Sequence, residues 1–234
     1  MRHYLGQKRV LVAVDCIIFG FDGQDLKLLL IKRGFEPEKD KWSLMGGFLQ
    51  KSETLDEAAN RVLKELTGLD NLYMEQLHIF SDLTRDPEER TISIAYFALI
   101  DIHQYEKQLS EDYHAEWFSL DNKPRLIFDH DDMVRMAQKK IRYKAALHPI
   151  LFELLPEKFT IPQLQNMYEG VYATNFDSRN FTRKLLSTGL LVRQNGKDKS
   201  SSRKGAFYYK LDKRKYRVQQ DAFINLVPKP DKFF

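Results

Sequence analysis

Gly47, Glu53, Arg61, Glu65 and Gly68 stand at the fixed spacing G-x5-E-x7-R-x3-E-x2-G. Ser178, Arg179, Asn180, Arg183, Lys184, Lys197, Lys199, Arg203 and Lys204 gather donors and positive charge in the last third of the chain. The second set has the chemistry of nucleic-acid contact: arginine suits guanine, asparagine suits adenine, lysine suits phosphate, and serine hydroxyls donate to phosphate oxygens. In the first set, Arg61 and Glu65 are four apart, the spacing of an ordinary helical ion pair worth a few tenths of a kcal/mol. Glu53 reads equally well as a ligand or as a solvated loop carboxylate. The histidines are scattered without ligand spacing, so neither a metal nor another cofactor is expected.

These residues need elements to hold them. Thr54, with Glu57 three residues on, predicts a helix start; Leu55, Ala59, Val62 and Leu66 repeat at helical spacing, and Gly68 supplies the stop. Around that helix, residues 10–19, 27–31, 74–80, 91–102 and 116–120 read as strands, and 131–147 as a second helix. Gly20 to Gly23 reads as the turn between the first two strands. From Leu147 the pattern changes. Residues 147–155, 159–170 and 178–188 read as three short helices, with Pro162 in the first turn of the second and Asp177 capping the third. Two strands, 190–193 and 206–211, then flank a basic loop from Gly196 to Gly205. This is a winged helix-turn-helix pattern, in which the second helix of the turn motif enters the major groove and the wing meets the backbone. With Phe181 and Leu185 facing inward, Arg179, Asn180, Arg183 and Lys184 are left to face out.

Composition agrees with two domains, 1–146 and 147–234. At about 100 to 200 residues per domain a chain of 234 residues allows one large domain or two modest ones, and 43% hydrophobic residues exclude a disordered chain. The net charge of +4 hides an asymmetry: from Ile150 onward there are 16 Lys plus Arg against 8 Asp plus Glu, and before it 21 against 25. A basic region beside an acidic body is expected where one part meets a polyanion. No apolar run is long enough for a membrane span, and no secretory leader is recognisable. The single cysteine, Cys16, forms no intrachain disulfide and points to a reducing, cytoplasmic location.

The spacing around Gly47 to Gly68 resembles a Nudix box, G-x5-E-x7-R-E-U-x-E-E-x-G-U with U a bulky apolar residue. Two positions depart from it: Val62 and Leu66 stand where the family has glutamates. In active relatives those carboxylates, with that of Glu65, hold Mg²⁺ against a pyrophosphate. One remaining carboxylate is too few for a cation that demands near-octahedral oxygen coordination. The box therefore reads as a retained scaffold and the protein as a non-enzyme; the alternative is an active Nudix pyrophosphatase acting on ADP-ribose-like substrates. Together with the winged helix, the segments Thr84 to Tyr96, Ile141 to Lys144, Leu154 to Gln165 and Arg179 to Leu190 resemble the Nudix-related transcriptional regulators, the NrtR-like family. That resemblance implies a Nudix-type mixed-sheet α/β/α sandwich followed by a winged helix, an α+β chain. It further implies a homodimeric bacterial repressor that binds an inverted-repeat operator in double-stranded DNA. Its effector would be a sugar such as arabinose or a nucleotide such as ADP-ribose. Arg33, Trp42, Glu65 and Arg85 are expected to line the effector cleft above the box.

Overall fold

The computed structural model describes residues 6–23, 25–109, 114–199 and 204–218. Arg203 and the serines before it lie outside these residues. The elements run β1 (Leu11–Phe21), β2 (Leu26–Lys32), β3 (Trp42–Ser43), β4 (Met45–Phe48), α1 (Leu55–Thr67), β5 (Glu75–Phe80), β6 (Thr91–Asp101), α2 (Ile102–Tyr105), β7 (Ala115–Ser119) and α3 (His130–Leu147). Then follow β8 (Phe159–Thr160), α4 (Ile161–Tyr172), α5 (Ser178–Ser187), β9 (Leu191–Asp198), β10 (Ala206–Leu211) and α6 (Lys213–Val218).

Seven strands form one sheet, in the order β3-β2-β1-β6-β5, with β4 also paired to β1 and β7 to β2. β1 and β2 are nearly continuous apolar runs. Val14, Cys16 to Phe19 and Leu28 to Leu30 are fully buried, as expected of strands covered on both faces. The antiparallel pairing of β1 with β4 sets Val14 opposite Gly47 and Asp15 opposite Gly46. That register carries a lone carboxylate to the paired glycines ahead of α1. The helix begins at a full capping box between Thr54 and Glu57 and ends on Gly68, whose φ of 80° suits a residue without Cβ.

The second sheet has three strands, β8-β10-β9. The short elements β3, β4, α2 and α6 lie outside the sequence-based expectation, and three of the expected elements take other bounds. The helix expected over 147–155 is the end of α3 followed by a 3₁₀ turn, Ile150–Leu154, because Pro149 cannot continue an α-helix and Phe152 instead donates to its carbonyl. The helix expected from 159 starts at Ile161, since Phe159 and Thr160 pair with Tyr209 and Tyr208. The first wing strand continues to Asp198, so Lys197 sits on a strand rather than in a loop.

Two compact units result. Of the described residues, one unit takes those within 6–19, 28–98 and 104–135, and the other those within 20–27, 99–103 and 136–218. The division thus falls within α3, upstream of the expected boundary after 146. The cause is local: Arg142 Nε donates to the Val171 carbonyl at 2.8 Å, Tyr172 Oη to the Arg142 carbonyl at 2.7 Å, and Tyr168 Oη to that of Ala145 at 3.4 Å. Gly170 lies against Leu26, where an added Cβ would stand 3.3 Å from the Leu26 Cβ. No helix among the described residues is long and apolar enough to cross a membrane.

Candidate binding pocket and nucleic-acid interface

Arg61 organises the remains of the box. Its Nε and Nη2 donate to the two oxygens of Glu53 at 2.8 and 2.7 Å, its Nη1 to Glu65 at 3.1 Å, and Nη2 also to the Phe48 carbonyl at 3.1 Å. The guanidinium so close to Glu53 holds that carboxyl down to about 2, and the same hydrogen bond raises Arg61. Glu53, Arg61 and Glu65 therefore form one ion-pair chain that staples the loop after β4 to α1. Val62 is buried, and a Cβ added at Gly47 would stand 2.6 Å from its Cγ2. Where the box frame has a glutamate, an isopropyl group now packs against the glycine. Among the described residues, no group of three or more His, Cys, Asp and Glu is placed to hold a metal ion.

Beside this staple opens a cavity of about 310 Å³, whose lining includes Asp15, Arg33, Phe35, Leu66, Arg85, Phe128 and His130. That is the lower end of the size range for small-molecule sites. Of the four residues expected to line a cleft, the structure brings two to it, Arg33 and Arg85. Trp42 is not among the lining residues: its ring packs edge-on to Phe118 at 4.6 Å, with Lys32 over it at 5.2 Å. Glu65 is not among them either. Its side chain is 59% exposed and engaged by Arg61, whereas its neighbour Leu66 reaches the cavity.

The floor of the cavity is charged and buried. Asp15 Oδ2 accepts from Ser93 Oγ at 2.5 Å, lies 3.6 Å from Arg85 Nη2, and its other oxygen lies 3.6 Å from His130 Nε2. Arg85 is clamped bidentately by Asp129, both bonds at 2.9 Å. The Leu44 amide donates to His130 Nδ1 at 3.2 Å, which in a neutral imidazole leaves the proton on Nε2, facing Asp15. Burial keeps the imidazole pKa below its ordinary value, against the opposing pull of Asp15 and Asp129. Gly46 cannot be replaced cheaply, since a Cβ there would collide with Asp15 Oδ1. At the rim, the Arg33 guanidinium lies 4.0 Å from the Phe35 ring centroid and 5.4 Å from that of Phe128. Asp15, Asp129 and His130 escaped the sequence reading. The available signal was a single carboxylate inside the apolar run Val10 to Phe19, opposite a Gly-Gly pair.

In the second unit, α4 and α5 form the helix-turn-helix. Phe181 and Leu185 of α5 are buried, and Phe181 lies edge-on to Tyr168 at 5.7 Å and stacked on Phe176 at 5.6 Å. Asp177 caps α5 by accepting from the Asn180 amide at 2.8 Å. Gln165 of α4 bonds the Phe176 carbonyl and the Ser178 hydroxyl, fixing the turn to the helix that follows it. With the apolar stripe turned inward, Ser178, Arg179, Asn180, Arg183 and Lys184 are exposed, and Arg183 donates to Asn180 Oδ1 at 2.9 Å. In the wing, Lys197, Lys199 and Lys204 are exposed, and Lys197 Nζ donates to the Lys204 carbonyl at 3.2 Å.

Comparison with known proteins agrees with both units. The NUDIX domain family matches residues 9–137, and the NrtR DNA-binding winged helix domain matches residues 151–211. The chain is 33% identical over 210 residues to the ADPR responsive transcriptional repressor NtrR of Acinetobacter baylyi, covering 88% of this chain and 84% of that protein. It is 40% identical over 125 residues to an ADP-ribose pyrophosphatase of Methanocaldococcus jannaschii, covering 53% of this chain and 70% of that one. The crystal structure of Shewanella oneidensis NrtR complexed with a 27mer DNA superposes with a TM-score of 0.71 at 26% identity, over 91% of this chain and 96% of that one. The NUDIX domain of the same Shewanella protein, complexed with ADP ribose, matches with a TM-score of 0.51 at 28% identity, over 58% of this chain and 90% of that one. A Nudix-type sheet followed by an NrtR winged helix, in one chain similar to a repressor along most of its length, places the protein in the NrtR-like family of Nudix-related transcriptional regulators.

Proposed function

We propose that this chain is a cytoplasmic, homodimeric transcriptional repressor that reads an inverted repeat through α5 and releases it when a small effector enters the cavity beside α1. The observation that carries the reading is the outer face of α5. Its exposed donors, Arg179, Asn180, Arg183 and Lys184, stand on a helix whose other face is locked into an aromatic core. A single winged helix reads only a few base pairs, so a dimer with half-sites about one helical turn or a multiple apart supplies the specificity. The test is a gel shift on DNA upstream of its own and neighbouring genes against random duplex, across a salt series. Arg179→Ala or Asn180→Ala is expected to cost about 1 to 3 kcal/mol and relax sequence preference. Lys199→Ala should weaken all sequences alike and lower the salt slope by about one. Absence of any preference over random DNA overturns the reading.

The effector is proposed to be a pentose-bearing molecule. The relatives named for ADP-ribose support the nucleotide; the pocket floor favours a neutral sugar such as arabinose. Asp15 offers acceptors to hydroxyls and Phe35 and Phe128 offer ring faces, while Lys32 and Arg33 in the same lining suit a phosphate. Calorimetry of the full chain with each compound separates them, and binding of neither removes both. Hydrolysis is not proposed. Gly47, Glu53, Arg61, Glu65 and Gly68 keep the frame of a pyrophosphatase box, but Val62 and Leu66 supply no oxygen to a cation. Incubation with ADP-ribose and Mg²⁺ is expected to give no turnover; a rate of about 1 s⁻¹ or more overturns the non-enzyme assignment.

A further inference from the structure

The wing strands are not a regular ribbon. Between the pairs Arg193↔Tyr209 and Lys197↔Phe207, β9 advances four residues while β10 advances two. Gly196, at φ of 101°, lies within the longer stretch and takes a backbone conformation that favours glycine. Extra residues of this kind bend a strand and re-aim its side chains. Here they bring two cations over one ring: the Arg193 guanidinium carbon is 3.4 Å and the Lys197 Nζ 4.3 Å from the Phe207 centroid. Both cations are exposed, and Phe207 is half-buried. The electron-rich face of an aromatic ring attracts each cation and so fixes where both are presented. Both side chains keep their charge at the surface of the wing, where an anion can reach them.

We propose that Arg193 is a DNA-contacting residue of the wing, and that Phe207 is the positioning residue that holds Arg193 and Lys197 toward the phosphate backbone. The proposal rests on the DNA-binding reading above and adds to it a contact outside the recognition helix and the wing tip. It also gives an aromatic side chain, which touches no phosphate, a role in affinity. The contact is with phosphate, so it acts on every sequence alike.

The experiment is a gel shift of the full chain on a mixed-sequence duplex across a salt series. Arg193→Gln is expected to lose several-fold in affinity and to lower the salt slope by about one, and Arg193→Lys to recover most of that slope. Phe207→Leu keeps every charge; it is expected to weaken binding several-fold in the natural background and to have no further effect when Arg193→Gln and Lys197→Gln are already present. A merely structural Phe207 would weaken binding equally in both backgrounds, and that result overturns its positioning role. An unchanged slope in Arg193→Gln, while the natural chain binds the duplex, overturns the Arg193 contact and leaves the DNA reading intact. Failure of the natural chain to bind any duplex overturns both.

Discussion

Replacing Arg85 by methionine is expected to destabilise the first unit by about 3 to 5 kcal/mol at neutral pH, measured by urea denaturation. The Arg85 side chain is only 4% exposed and lies between Asp129, at 2.9 Å, and Asp15, at 3.6 Å. Both carboxylates lose their counter-charge together, and the low-dielectric surroundings make an unpaired charge far more costly than a lost surface pair. The sign of the pH dependence follows from His130. Arg85 is one of the charges that lower its pKa, while Asp15 and Asp129 raise it. Removing Arg85 leaves the raising charges in place, so the imidazole takes up a proton at a higher pH than in the natural chain. At any pH where the variant's imidazole binds more proton than the natural one, the variant gains stability relative to the natural chain as the pH falls. The penalty should therefore shrink as the pH falls and the new imidazolium replaces the missing charge. Removing Asp129 as well, in Arg85→Met/Asp129→Leu, should cost less than the single change. A loss below about 1 kcal/mol for Arg85→Met would show that the network adds little to stability.

Phe181→Ala should cost about 3 to 5 kcal/mol in the second unit and remove DNA binding for all sequences. The ring is 3% exposed and joins the aromatic stack through Tyr168 and Phe176. Truncation opens a cavity between α4 and α5, and also forfeits two aromatic contacts worth about 0.5 to 1.5 kcal/mol each beyond their buried area. The consequence for DNA follows from length. α5 has ten residues, too few for a stable helix without tertiary packing. Once its anchor is gone, Arg179 and Asn180 no longer share a fixed surface. Ser187→Ala, on the exposed side of the same helix, should change stability by no more than about 0.5 kcal/mol and leave DNA affinity unchanged. Near-natural DNA affinity in Phe181→Ala would show that the recognition helix does not depend on this anchor.

The amino-acid sequence by itself determined the parts of this protein whose signals are local. Thr54 and Glu57 mark the start of α1 and Gly68 its end because capping involves residues three or four apart. Asp177, Phe181 and Leu185 place α5 and decide its outward face in the same way. The absence of carboxylates at Val62 and Leu66 is legible once the spacing is set against the Nudix box it resembles. What the sequence could not show depends on partners far along the chain. Asp15 meets Arg85, Ser93 and His130 only because the β1–β4 register and the approach of α3 bring them together, at separations of 78 residues for Ser93 and, for Leu44 with His130, 86. Trp42 had the residue type of a ring-binding wall, yet its ring packs with Phe118 and Lys32 and does not line the cavity. Glu65 had the type of a ligand, yet stayed at the surface with Arg61 while Leu66 reached the cavity. In the wing, the positive charges were countable from the sequence. That Arg193 and Lys197 share one ring was decided by a bulge at Gly196, and by strand pairing that no short window of sequence contains. Capping and helical periodicity are written into neighbouring residues, whereas a buried charge needs counter-charges that only closure of the whole sheet can deliver.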